Sequence, residues 1–540
     1  MTPTTPPIKR WRAFALLAVA YFMTIIDLTI VNVSLPTIAH DLHFTQTNLQ
    51  WVATAYALTF GGLLLLGGRA ADLLGRRRVL VVGLGLFTAA SLACGLATSA
   101  GFLIATRAIQ GVGAAIMLPA ALSIVMNMFQ EGAERNKALG IWGGLAAAGA
   151  TVGLIAGGIL TRYAGWQYIF YLNVPIGIIA LALVPRIVPE SRLTTARRRF
   201  DAAGAITGTG GLVLLVDAIS QAPQYGWGAT RTIAVLAASV GLLVSFLAIE
   251  KRTEWPILPL SIFRLRTLAG ANMAALLLVG SFYAFLFVGT LYMQQVLHFS
   301  ALQAGLAWLA ASLTSLALAG VSQLLVTRIG PKPVMAVGMT LIGTGVLWAT
   351  RVPVHGHFVG NLLGPFIVAG AGTAFAFIPV SIAALAGIRE HQAGLASGLL
   401  STSQQVGGAL GIAIASSVAA LHTNALLHTG DKLPAALTGG FQHAFWVLGA
   451  IALLALPVIF ALVGRDELTD PVAKTNIPET DSRYKMRGWQ VDSYGEQEPD
   501  LKPQASNRRV RPTSSGSPVQ TPPVAIAYAA PHFREPARES

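Results

Sequence analysis

Apolar stretches of roughly 20 residues recur along this chain, separated by short polar turns, and that pattern leaves few folds open. A helix rises about 1.5 Å per residue, so each stretch is long enough to cross a hydrocarbon core of about 30 Å. The alternating ten-residue pattern of a transmembrane barrel is missing, which favours helices. With 54% of 540 residues hydrophobic, 11% charged and a mean hydropathy of +0.63, so much apolar surface does not fit inside a soluble core. The sequence predicts an all-α polytopic membrane protein.

Six spans are expected at residues 13–33, 49–66, 79–98, 101–122, 138–160 and 168–188. Two follow at 202–220 and 232–248, and a second six at 268–296, 302–326, 334–349, 358–387, 395–421 and 441–463. The distribution of Lys and Arg tests this count of fourteen, because a miscounted span would scatter them on alternating sides. Of 37, 21 fall in the N-terminus and the inner connections, and four, Arg162, Arg231, Arg351 and Lys432, fall outside. Both termini are therefore expected in the cytoplasm of a cell with a multi-pass cytoplasmic-membrane protein.

The expected organisation is a cytoplasmic N-terminus (1–12), an N-terminal six-helix bundle (13–188), two inserted helices with flanking loops (189–266), a C-terminal six-helix bundle (267–463) and a disordered cytoplasmic tail (464–540). The tail carries equal numbers of acidic and basic residues, so the net charge of +14 resides in the membrane-facing loops. It speaks for anionic lipid contact and against nucleic-acid binding. The first span follows MTPTTPPIKRWR without an evident cleavage site and is read as retained. The sequence has no G-x4-G-K-[ST] phosphate loop, and Cys94 is its single cysteine. An ion gradient, not ATP or a bound cofactor, is the expected energy source.

Short inner loops repeat. LLGRRRV around Gly75 resembles RIGPKPV around Gly330 at an offset of 255, and Glu134 has a counterpart in Glu390 at 256. Six helices repeated with two inserted between them give such an offset.

The run at 140–158, GIWGGLAAAGATVGLIAGG, places Gly149, Gly153 and Gly157 four residues apart, with Ala146 and Ala150 beside them. One face of that helix is almost free of side chains and suits close approach of another helix. The spacing resembles the antiporter signature of the major facilitator superfamily, with Leu154 where the signature carries proline. Gly68, Asp72, Gly75, Arg76 and Arg77 in GRAADLLGRRRVL are similar to that superfamily's inner-loop signature, Leu73 departing from it, and LIATRAIQGVGAA with Arg107, Gln110 and Gly111 is similar to its R-x2-Q-G signature. IIDLTIVNVSLPTIAHDL at 25–42 and GWQYIFYLNVPIG at 165–177 resemble the fourteen-helix drug:proton antiporter family.

That resemblance implies two bundles around a cavity, and a loop around Asp72 that latches them on the inner side. It implies multidrug efflux by antiport, with a lipophilic drug or antibiotic leaving as protons enter, and no enzymatic activity. A same-fold importer or uniporter, or a non-transporting sensor, stays open, as does the oligomeric state.

Asp27 and Arg107 each lie about six residues from the outer end of their spans, so both sit roughly 9 Å deep and can pair across the cavity. Proton loading of Asp27 would then depend on whether substrate or water separates the two. Gln110 and the span-nine residues Phe282, Tyr283, Phe285, Tyr292 and Gln295 are candidates for the substrate cavity. Asp217, near the outer end of an inserted helix, is assigned an interfacial role. His40 with His43, and His355 with His357, offer no third ligand for a metal.

Overall fold

The computed structural model describes residues 7–129, 133–190, 201–253, 256–386, 388 and 393–464. The chain divides into a unit spanning Met1–Trp489, which holds every described helix, and a second spanning Gln490–Ser540. The tail assigned from 465 onward lies outside the described residues, as do Arg389 and Glu390.

Among the described residues the regular structure is wholly helical. Backbone polar groups have no water to bond in hydrocarbon, so each apolar stretch satisfies them within itself. The helices are α1 (Pro7–Asp41), α2 (Trp51–Leu74), α3 (Arg76–Gly95), α4 (Ala100–Met128) and α5 (Ala133–Tyr163), then α6 in two pieces (Gln167–Tyr171 and Asn173–Ile187). Next come α7 (Ala202–Tyr225), α8 (Thr230–Arg252), α9 (Arg266–Gln295), α10 in two pieces (Ala301–Ala307 and Leu309–Ile329), α11 (Pro331–Trp348), α12 (Leu363–Leu385), α13 (Ala393–His428) and α14 (Leu433–Leu462). Among the described residues thirteen are long and apolar enough to cross a membrane, and α5 (Ala133–Tyr163), which carries the glycine run, is a further long helix.

Helix pairings recur eight helices apart. α1 packs on α5 as α9 packs on α13, α2 on α4 as α10 on α12, and α3 on α6 as α11 on α14. Two further seams, α2 with α13 and α5 with α10, join the sets. α7 lies against α2 and α13, and α8 lies mainly against α7.

The repeat also extends to backbone conformation. Gly75 (φ 108°) and Gly330 (φ 83°) make tight turns that only glycine enters readily. At the opposite ends of α1 and α9, His43 (φ 53°) and His298 (φ 56°) share the left-handed conformation, again 255 residues apart. Thr45 and Ser300 follow as helix caps, each accepting a backbone N–H. The matching strings LHFT at 42–45 and LHFS at 297–300 carry this second repeat.

Candidate functional site

Asp27 on α1 and Arg107 on α4 meet directly, Arg107 Nη1 donating to Asp27 Oδ2 at 2.5 Å, with exposures of 0% and 1%. The contact lies wholly within the first six helices, so the pair does not span the two sets. A charge in such surroundings is tolerated only when paired and hydrogen-bonded, and here the pairing is extensive. Gln110 Nε2 donates to Asp27 Oδ1 at 2.8 Å, and Asn173 Nδ2 donates to the same oxygen at 3.1 Å. Both amides also reach Ser91 Oγ, at 2.6 and 3.2 Å. Arg107 in turn donates to Gln110 Oε1 at 2.6 Å and, through Nε, to the Val52 carbonyl at 2.9 Å. Its guanidinium lies 4.4 Å from the centre of the Tyr56 ring, a cation–π contact.

Five helices thus contribute to one sealed polar cluster. Chemically it is a carboxylate with both oxygens occupied beside a guanidinium that has partners to spare. Oδ1 of Asp27 accepts two bonds and Oδ2 one, while Arg107 also holds Gln110, the Val52 carbonyl and the Tyr56 face. Gln110 therefore bridges acid and base and is itself fully buried. Ser91 and Asn173 were not singled out by sequence reasoning. Asn173 was within reach, since it stands in the GWQYIFYLNVPIG run where α6 resumes after Leu172.

The other candidates separate. Phe285 is fully buried in an aromatic cluster, edge-on to Trp308, Phe366 and Phe445 at 5.4–5.6 Å. Tyr292 is fully buried, donating its hydroxyl to the Pro353 carbonyl at 2.7 Å. Phe282, Tyr283 and Gln295 are half-buried. The neighbour of Gln295, Gln294, crosses between the helix sets and donates to the Val33 carbonyl at 2.7 Å.

The α5 glycines face α1. A Cβ at Gly149 would stand 2.8 Å from Ile25, one at Gly153 would collide with Thr29, and one at Gly157 would stand 2.6 Å from the Ile30 carbonyl. The close approach to the second set comes one residue later, at Gly158, where a Cβ would lie 2.7 Å from Leu302 Cα. Opposite it, a Cβ at Gly305 would lie 2.5 Å from the Leu154 carbonyl.

Around the Gly75 turn, Gly68 and Asp72 are helical, Gly75 makes the turn and Arg76 opens α3; the Asp72 side chain lies outside the described residues. The anchor is Glu190, which the sequence reading did not single out. It accepts the Arg77 backbone N–H at 3.1 Å and pairs with the Arg77 and Arg78 side chains at 3.7 Å. Arg77 also donates to the Pro185 and Val188 carbonyls at 3.3 Å, tying the turn to the end of α6. Asp217 is half-buried on α7. Among the described residues no three His, Cys, Asp or Glu side chains are grouped to hold a metal ion.

The Major Facilitator Superfamily profile matches residues 17–412 and 271–527. The chain belongs to this superfamily. It is 37% identical to the puromycin resistance protein of Streptomyces alboniger over 87% of this chain and 94% of that one. It is 36% identical to the cephamycin export protein of Amycolatopsis lactamdurans over 83% and 91%. These relatives place it with the superfamily's drug- and antibiotic-resistance exporters, the branch of the fourteen-helix layout. As such it is a multi-pass membrane transporter and not an enzyme. The fold is also that of a bacterial homologue of the lysosomal transporter Spinster, with a TM-score of 0.62 at 15% identity, covering 87% of this chain and all of that one.

Proposed function

We propose that the protein is a drug:proton antiporter that exports lipophilic compounds across the cytoplasmic membrane, with Asp27 as the proton carrier and Arg107 as its partner. The observation that carries the reading is the sealed Asp27–Arg107 pair, a costly intramembrane arrangement whose retention calls for a function. The relatives' names, concerning resistance and export, support the substrate class and the direction.

In this reading residues 13–188 and 267–463 are the two bundles, 189–266 the inserted pair, and both termini lie in the cytoplasm. The recurring helix pairings and the basic inner loops support that assignment. The bundles rock about a cavity between them. Contacts at Gln294–Val33, Gly158–Leu302 and Gly305–Leu154 close the outer end. The Gly75 turn, held by Glu190, works at the inner end together with Gly68, Asp72, Arg76 and Arg77. Movement of α1 along the glycine face of α5 separates Asp27 from its donors and admits a proton; return of the donors expels it.

The test is uptake of a lipophilic antibiotic into inverted membrane vesicles. The reading expects uptake that a protonophore abolishes and that Asp27→Asn lacks. Uptake insensitive to the protonophore would speak for a uniporter, and uptake in the opposite sense for an importer. Binding without movement would speak for a sensor.

A further inference from the structure

The Asp27 cluster engages both oxygens of its carboxylate, which raises the question of what the transported compound itself touches. Two rings stand apart from the closed aromatic cluster around Phe285. Tyr21 on α1 and Trp142 on α5 stack face to face, 4.4 Å between centres and 6° between planes. Trp142 is buried and also meets Phe14 at 6.4 Å, and Phe14 packs in turn on Trp11 and Phe129. Tyr21 remains half-buried. From the second helix set, the half-buried Tyr283 of α9 lies within electrostatic reach of the Tyr21 hydroxyl and close to Gly408 of α13, a Cβ at which would stand 3.7 Å from its ring. Phe22 and Phe282 flank these positions, also half-buried.

The charges around this group matter as much as the rings. Among the described residues the acids within the spans are Asp27, Asp217 and Glu250, apart from those at helix ends. Asp27 is engaged by Arg107, Gln110 and Asn173. Asp217 and Glu250 stand on α7 and α8, helices outside both repeated sets.

We infer that the compound site is an uncharged aromatic one, with Tyr21 and Trp142 as a stacking plate and Tyr283 facing them, separate from Asp27 and selective for neutral planar aromatic compounds over permanent cations. The inference rests on the export reading and names its substrate class. A flat ring stacked on the open face of Tyr21 gains an offset ring–ring attraction beyond the area it buries. A cation would gain attraction from the ring faces but lose more in hydration, with no carboxylate to answer its charge. The neutral ligand wins that comparison. Tyr21 precedes Asp27 by six residues, about 9 Å along α1, so compound and proton act on one helix at two places and never compete for one carboxylate.

The experiment compares N-methylacridone, which is neutral, with N-methylacridinium, the permanent cation on the same ring frame. Binding to full-length protein in lipid nanodiscs is measured by calorimetry against empty nanodiscs. N-methylacridone is expected to bind about tenfold more tightly than the cation. Tyr21→Leu and Trp142→Leu each weaken it about fivefold, while Tyr21→Phe, which keeps the ring and guards against misfolding, retains it. Asp27→Asn loses proton-driven export but still binds N-methylacridone. Equal or tighter binding of the cation overturns the inference, as does failure of both probes to bind saturably, or a loss in Asp27→Asn as large as in Tyr21→Leu. The two readings fail separately: export intact in Asp27→Asn removes the coupling role and leaves the binding comparison standing, and the reverse holds for a cation-preferring site.

Discussion

Gln110 touches both members of the buried ion pair, donating to Asp27 at 2.8 Å through its nitrogen and accepting from Arg107 at 2.6 Å through its oxygen. One amide thus makes a single unit of an acid from α1 and a base from α4.

That unit predicts non-additive stability. Removing one partner of a buried pair costs about 3–5 kcal/mol because the other charge is stranded. Arg107→Gln is therefore expected to destabilise strongly, and Asp27→Asn combined with Arg107→Gln to recover a large share of the loss. Denaturation of the purified variants in detergent reads this directly. Additive losses would mean that the two charges do not depend on each other.

The α1–α5 contact predicts a position-specific effect of a single methyl group. Gly157→Ala sets a Cβ 2.6 Å from the Ile30 carbonyl and should cost about 1–3 kcal/mol through overpacking, with slower transport. At Gly241 a Cβ meets nothing within 4 Å, and Gly241→Ala should be neutral or slightly stabilising. Melting temperatures and transport rates of the two variants provide the comparison, and equal behaviour would exclude close packing as the reason for the α5 glycines.

The hydrogen bond from Gln294 to the Val33 carbonyl predicts a shift in access at the end where α1 and α9 finish, the outer end in the proposed topology. Cys94 is the chain's single cysteine and is buried, so Cys94→Ser gives a clean background. In that background Leu302→Cys should react faster with an impermeant maleimide when Gln294→Ala is added. An unchanged rate would show that this contact does not hold the outer end closed.

Much of this architecture is legible in the sequence, and the exceptions have physical causes. Hydrophobic length fixes the helices, because a bilayer admits little else, and equal depth suffices to bring Asp27 and Arg107 together. Depth carries no azimuth, however, so the pair was expected across the cavity and instead lies inside one helix set. The same ambiguity holds at Phe285, whose ring is as apolar as that of Phe282 but packs into an aromatic cluster. The bridging contacts of Gln110 were not legible, because a polar side chain in a span announces a partner without naming it. Glu190 lies far in sequence from the Gly75 turn it holds, and only tertiary contact reveals it. His43 and His298 were readable, since LHFT and LHFS recur at the offset already visible in Gly75 and Gly330.

The central claim, that Asp27 carries the proton exchanged for the exported compound, is tested most directly by proton movement itself. Inverted vesicles containing the protein are acidified inside, and internal pH is followed while a lipophilic compound is added. The account predicts prompt proton release with the wild-type protein and none with Asp27→Asn at equal protein abundance. Release of the same size from Asp27→Asn vesicles would contradict it.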